Sequence, residues 1–337
     1  MEADFLDWLR RRLPPDKRTP LGLSSDAAFI PLNRPPGSGT QASGTQGSDT
    51  AGLIATTDAL TDGVDFLLGQ DDPRRIGRKA LAVNLSDLAA AAARPLAVLV
   101  SLVLPRMGAA ELAREIFEGL LPLAEQFQVA IAGGDTNTWD GSLVINITAL
   151  GEPVVASGWS RTGAQPGDVI LVTGDFGGSR LGKQFDFTPR VSEALRIAQR
   201  YAIHAATDVS DGLSLDLEHV MQASGCGAVI DEAAIPVAAA AHEYARQQAD
   251  GRRALEHALS DGEDFELILV AAPAVAQQLL ADQSLGVPVT RIGECVAQRG
   301  LWCREKQVSS PHDAAGEQLR PMVPRGWEHG SHDPGQR

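Results

Sequence analysis

Residues Ala55 to Phe66, ATTDALTDGVDF, constrain the fold most: an apolar run delivers Thr56, Thr57 and Asp58 into a turn-rich segment. The stretch reads as a strand end carrying metal ligands. Asp26, Asp87, Asp135, Asp208 and Asp211 each stand beside small residues at a predicted strand end or helix start. Six carboxylates placed that way can converge on one pocket.

Bulk properties bound what such a pocket serves. The chain has 337 residues, 44% hydrophobic and 21% charged, which suits globular domains with sizeable cores, two rather than one. A net charge of −14 disfavours nucleic acid or an anionic membrane as partner, while small polyphosphates stay accessible through bridging divalent cations. Cys226, Cys295 and Cys303 lack CxxC or Cys/His spacing, so neither a disulfide scaffold nor zinc is indicated. The N-terminus is too short and charged for a signal peptide, and no apolar run approaches the ~20 residues of a membrane span. The reading is a soluble, cytoplasmic protein.

Along the chain, Phe5 to Leu13 has helical spacing and Leu21 to Leu32 reads as a strand broken at Ser24, Ser25 and Asp26. Residues 34–50, rich in Gly, Ser, Thr and Gln, predict a flexible insertion. Asp72 to Arg94 predicts an Ala/Leu-rich helix with Ser86 and Asp87 in its middle, where weak helix formers imply side chains engaged elsewhere. Ala97 to Leu104 reads as a buried strand, Ala109 to Gln128 as an amphipathic helix, and Val129 to Ala132 as a strand entering Gly133-Gly134-Asp135-Thr136. Paired glycines let backbone approach a ligand, with a tight turn as the alternative. In the second half, Gly177, Gly182 and Lys183 match a phosphate-loop spacing, but Gln184 stands where magnesium needs Ser or Thr, so the motif is taken as accidental. Thr207 to Leu217, TDVSDGLSLDL, is a second acidic turn before a helix. Val289 to Glu294 reads as the last strand, and Trp327 as a packing plug or a ring stacked on a ligand.

Carboxylates with Ser and Thr oxygens, without His or Cys partners, suit magnesium and phosphoryl transfer. TTDALTDGVDF, KALAVNLSDLAA, GGDT, RTGAQPGD, DVSDGL and DGEDFEL, in this order, resemble thiamine-monophosphate kinases of the aminoimidazole-ribonucleotide-synthetase superfamily.

The resemblance implies a two-domain α/β (α+β) fold. A ferredoxin-like N-terminal domain would cover residues 1–152, a C-terminal α/β domain residues 153–327, and a tail residues 328–337. It implies ATP-dependent phosphorylation of thiamine monophosphate to thiamine diphosphate with several Mg2+ ions, in a homodimer formed through the N-terminal domains. Carried over by position, Asp26, Thr56, Thr57, Asp58, Asp87, Asp135, Asp208 and Asp211 would bind metal. Gly134, Asp135, Arg161 and Ser210 would touch ATP, and Asp65, Glu263 and Trp327 the thiamine substrate. Asp58, Asp87, Asp135 and Asp211 would matter most, with no protein nucleophile. Ser25, Asp65, Ala92, Asp261 and Phe265 depart from the family's usual Asp, His, Gly, Gly and Tyr. The alternatives are another ATP-using enzyme of the superfamily and a noncatalytic nucleotide-binding homologue.

Overall fold

A computed structural model describes residues 8–9, 25, 27–32, 52–248, 250–282, 284–304 and 319–327. Trp8 and Leu9 are helical. The rest of the expected N-terminal helix, Asp26, the 34–50 insertion and the tail lie outside the described residues. The chain falls into two compact units, one of Asp16–Ser160 with Gln184–Arg200, the other of Met1–Pro15, Arg161–Lys183 and Tyr201–Arg337. Both are α/β, the class expected.

The first unit carries β1 (Ala28–Pro31), β2 (Gly52–Thr61), β3 (Ala93–Pro105), β4 (Ala130–Trp139) and β5 (Val144–Pro153), ordered β1-β2-β5-β3-β4. Only β3 and β4 run parallel. Helices α1 (Pro73–Ala90) and α2 (Ala109–Gln126) pack against the sheet. Asp72 starts α1 by accepting the Arg74 amide at 2.9 Å, with Pro73 preset for the first turn.

Burial along β2, β3 and β5 alternates, so one sheet face is covered and the other open. This corrects the reading of Ala97 to Leu104 as simply buried: Leu99 is 43% exposed, as is Leu96, just before that stretch, at 40%. The period-2 signal was masked because both faces of that strand carry aliphatic residues.

Helices α1 and α2 cross where neither has a side chain. A Cβ on Gly119 would stand 1.7 Å from the Arg74 carbonyl oxygen, and one on Gly77 would stand 2.0 Å from that of Ile116. Gly119→Ala gains about 1 kcal/mol of helix propensity. Backbone is met head-on, however, so a net loss of about 1–2 kcal/mol is expected. Urea denaturation measures it, and an unchanged midpoint would mean the helices part freely.

The second unit holds β6 (Val169–Thr173), β7 (Ala205–Asp208), β8 (Gly227–Ile230), β9 (Leu267–Ala271), β10 (Val289–Val296), β11 (Gly300–Arg304) and β12 (Leu319–Met322). Their order is β12-β11-β8-β10-β6-β9-β7. Val289 to Glu294 is therefore not the last strand. The polar interval before Leu319 hid the final pairing, in which Leu301 faces Met322. Ile170, Val172, Ile268 and Val270 on the central strands meet Val209, Leu213, Leu217 and Val220 in one core.

Candidate functional site

Thr56, Thr57 and Asp58 do not end their strand. They sit mid-β2, which continues to Thr61 because Asp58 pairs with Ile147 and Leu60 with Ile145. Alternation turns Thr56, buried, toward the helix-covered face, while Thr57 is exposed on the open one. Thr56 Oγ1 donates to Asp87 Oδ2, so the side chain is engaged elsewhere as expected, but α1 ends at Ala90 rather than near Arg94, which puts Asp87 in its last turn and not in its middle. On the open face, Thr57 Oγ1 lies 3.1 Å from Thr148 Oγ1, and Asn146 Nδ2 donates to both Thr57 Oγ1 and the Asp58 carbonyl at 3.1 Å.

Gly133 to Thr136 form no turn either, being part of β4. Gly134 is required by packing alone, since a Cβ there would stand 1.8 Å from the Val100 carbonyl oxygen. Asp58 faces Ile147, Ile147 faces Val100, and Val100 faces Gly134. Asp135, whose Oδ1 accepts the Thr136 amide, is thus one residue off a row begun by Asp58. Alternation therefore turns Asp135 to the opposite, open face of the sheet, three strand spacings of ~4.8 Å across from Asp58, so the structure does not bring these two carboxylates together. Asp65 closes the turn after β2: its Oδ2 accepts the Thr61 amide at 2.6 Å, and its carbonyl accepts buried Lys79 Nζ at 2.8 Å.

In the second unit, buried Asp208 ends β7 and passes into a turn at Ser210 and Asp211 before helix α5 (Leu213–Ser224). In chain order α3 (Lys183–Asp186) and α4 (Val191–Arg200), which but for Lys183 belong to the first unit, precede α5, and α6 (Ala239–Gln248), α7 (Ala254–Ser260) and α8 (Pro273–Ala281) follow it. Main-chain bonds stitch the turn to its neighbours. Glu263 N donates to Ser210 O at 2.7 Å, Phe265 N to Val209 O at 2.8 Å, and Trp327 N to Asp211 O at 2.8 Å. The structure thus brings Asp208, Ser210, Asp211, Glu263 and Trp327 together from three distant stretches. Arg161 Nε donates to Thr207 Oγ1, next to Asp208, at 3.3 Å. Glu263 and Phe265 take left-handed φ of 55° and 51°, which side chains rarely adopt. Trp327 also lines a shallow cleft with Arg180, Tyr244, Asp250, Arg252 and Asp261.

Several residues here were not singled out in the sequence. Asp264, 1% exposed, accepts the Gly177 amide at 2.9 Å. Burial pushes its carboxyl up to about 7; Glu266 and Asp261 add to the rise, while Lys183 and the Gly177 amide oppose it. Lys183 Nζ lies 3.3 Å from Glu266 and 3.8 Å from Asp264, and donates to the Asp175 carbonyl at 2.6 Å. The phosphate-loop lookalike therefore spends its lysine on buried carboxylates, with a 3-10 turn at Ser179–Leu181 between its two glycines and only the four-residue α3 after them.

Residues 26–152 and 165–303 match the families described as AIR synthase related protein, N-terminal domain and C-terminal domain. The thiamine-monophosphate kinase of Rhodopirellula baltica is 44% identical over 335 residues, 99% of this chain and 98% of that protein. The chain belongs to the thiamine-monophosphate kinase family. A solved structure of the family's enzyme from Stenotrophomonas maltophilia is 33% identical, with a TM-score of 0.66 over 88% of this chain and 94% of that one. The structure described as AaThiL complexed with AMPPCP and TMP shares the fold, with a TM-score of 0.75, 24% identity and coverage of 97% and 96%. Against the family's pattern, Ala92 carries its side chain at φ 50° where glycine is usual, ending α1 through a bond from its amide to Ala89 O. Asp261 uses the side chain that glycine lacks to hold His257 Nδ1 at 2.9 Å and Arg252 Nη2 at 3.3 Å.

Proposed function

We propose that this chain transfers the γ-phosphoryl group of ATP directly to thiamine monophosphate, yielding thiamine diphosphate. The observation that carries the reading is the stitching of the Asp208–Asp211 turn to Glu263 and Trp327, which sets candidate nucleotide and metal ligands beside candidate thiamine contacts. The donor set of carboxylates and hydroxyls fits Mg2+, with Asp26, Thr56, Thr57, Asp58, Asp87, Asp135, Asp208 and Asp211 as its holders. Bound magnesium neutralises phosphate charge during transfer.

The chain's own residues do the positioning. Thr56 fixes the Asp87 carboxylate, while Gly134, Asp135, Arg161 and Ser210 contact the nucleotide. Glu263 faces the thiazolium cation and Trp327 stacks on it. Asp65 would meet the substrate's phosphate across a cation, since like charges repel. The open face of the first unit's sheet, with Leu96 and Leu99 exposed, supports a homodimer through the N-terminal domain. Among the described residues no helix is long and apolar enough to cross a membrane, which accords with a cytoplasmic enzyme.

Incubation with ATP, Mg2+ and thiamine monophosphate tests the reading. Thiamine diphosphate and ADP should appear in equal amounts, and EDTA should stop both. ATP turnover without thiamine diphosphate, or full activity in EDTA, would overturn it.

A further inference from the structure

We infer that Asp216, fully buried in the first turn of α5, is a positioning residue for Asp211. Its Oδ2 accepts the Asp211 amide at 3.0 Å and the Gly212 amide at 3.1 Å. The helix has Gly212 as its N-cap and no side-chain cap there, so Asp216 reaches back along its own helix, as the acidic residue of a capping box does. Charge-assisted bonds from a buried carboxylate are the strong kind.

The result is a clamp on one residue. The N–H of Asp211 is held by Asp216 and its C=O by the amide of Trp327, so both flanking peptide planes are fixed. Only the side-chain torsions are left to aim the carboxylate. Ligand atoms of Asp211, Asp216 and His219 also lie within 4.8 Å of one another. The Asp216 charge therefore adds to the field that attracts a cation at Asp211 while its oxygen orients the loop. A displacement of about 1 Å at such a position can cost about 100-fold in rate, and partners that orient metal ligands typically contribute 10–100-fold to metal affinity.

The inference rests on Asp211 being a magnesium ligand, so Asp211→Asn is measured beside Asp216→Asn. Asp216→Asn should raise the Mg2+ concentration for half-maximal activity about tenfold, the lower end of that range, and lower kcat. KM for thiamine monophosphate should not change. Mn2+ binding followed by electron paramagnetic resonance should weaken in parallel, a readout independent of turnover. Ser214→Ala is the structural control: its hydroxyl anchors the same helix to the Leu259 and Arg325 carbonyls without touching the turn, so it should lower Tm and leave the metal requirement alone. If Asp216→Asn does not fold, Asp216→Glu keeps the charge but moves the oxygen, and the same rise in metal requirement is expected. An altered metal requirement in Asp211→Asn with none in the Asp216 variant overturns the inference. An unaltered requirement in Asp211→Asn overturns the reading beneath it.

Discussion

Replacing Asp87 with Asn is expected to lower turnover of thiamine monophosphate by about 10²–10³-fold while the protein stays folded, the loss that follows removal of one preorganised electrostatic contact at a reacting phosphate. The fold survives because an asparagine carbonyl can still accept the Thr56 hydroxyl, keeping α1 docked on β2. What is lost is the charge: a neutral amide is a poor magnesium ligand. Asp58→Asn should behave alike, since Asp58 lies two residues along β2 on the same face as Thr56. Steady-state rates at saturating ATP, with thermal melts alongside, decide the matter. Near-normal rates for either variant would make its carboxylate structural.

Lys183→Ala should act in the opposite way, on stability rather than on ATP. It leaves Asp264 and Glu266, both buried, without their cation, and breaking a buried ion pair costs about 3 kcal/mol. The pH dependence has a definite sign. Asp264 binds its proton more tightly folded, at about 7, than at the ordinary 3.8. Its contribution to stability is therefore complete below the ordinary value and is lost as pH rises through about 7. Without Lys183 the folded carboxyl is pushed higher still, so the variant's loss should be greater at pH 8 than at pH 5. Asp264→Asn removes this slope, because the amide oxygen still accepts from Gly177 and nothing ionises. Melting temperatures across that range test the argument. A stable Lys183→Ala protein unable to bind ATP would restore the phosphate-loop reading.

What the sequence disclosed follows physical lines. The helix starting at Pro73 was plain from its proline and its alanine run, although its end was set near Arg94 and not at Ala90 because the alanines continue into β3, and Asp87 stood out because propensity argues against it there. Thr56–Asp58 and Gly133–Thr136 read as chain breaks because threonine, aspartate and glycine are turn residues locally. Pairing with β5 and β3 carries both straight through as strands. The roles of Asp264 and Lys183 were out of reach, since each depends on contacts made when segments more than eighty residues apart close together, whereas Asp216 bonds within its own turn and was overlooked as one more polar residue of a helix. DGEDFEL marked the place of Asp264, but a motif names no partner.

The route of the chain also sets an order of events during synthesis. Residues 184–200 belong to the first unit, where Arg75 reaches Asp186 and Arg78 the carbonyls of Phe185 and Phe187. That unit is incomplete on the ribosome until Arg200 has emerged. Strand β6 waits longer: its neighbours β9 and β10 arrive late, the second starting 120 residues after Val169. At about 5–20 residues per second, its apolar faces stay unpaired for roughly 6–24 s. Slowed elongation downstream of Thr173 would lengthen that exposure, making the nascent second unit the part of the molecule most dependent on chaperones.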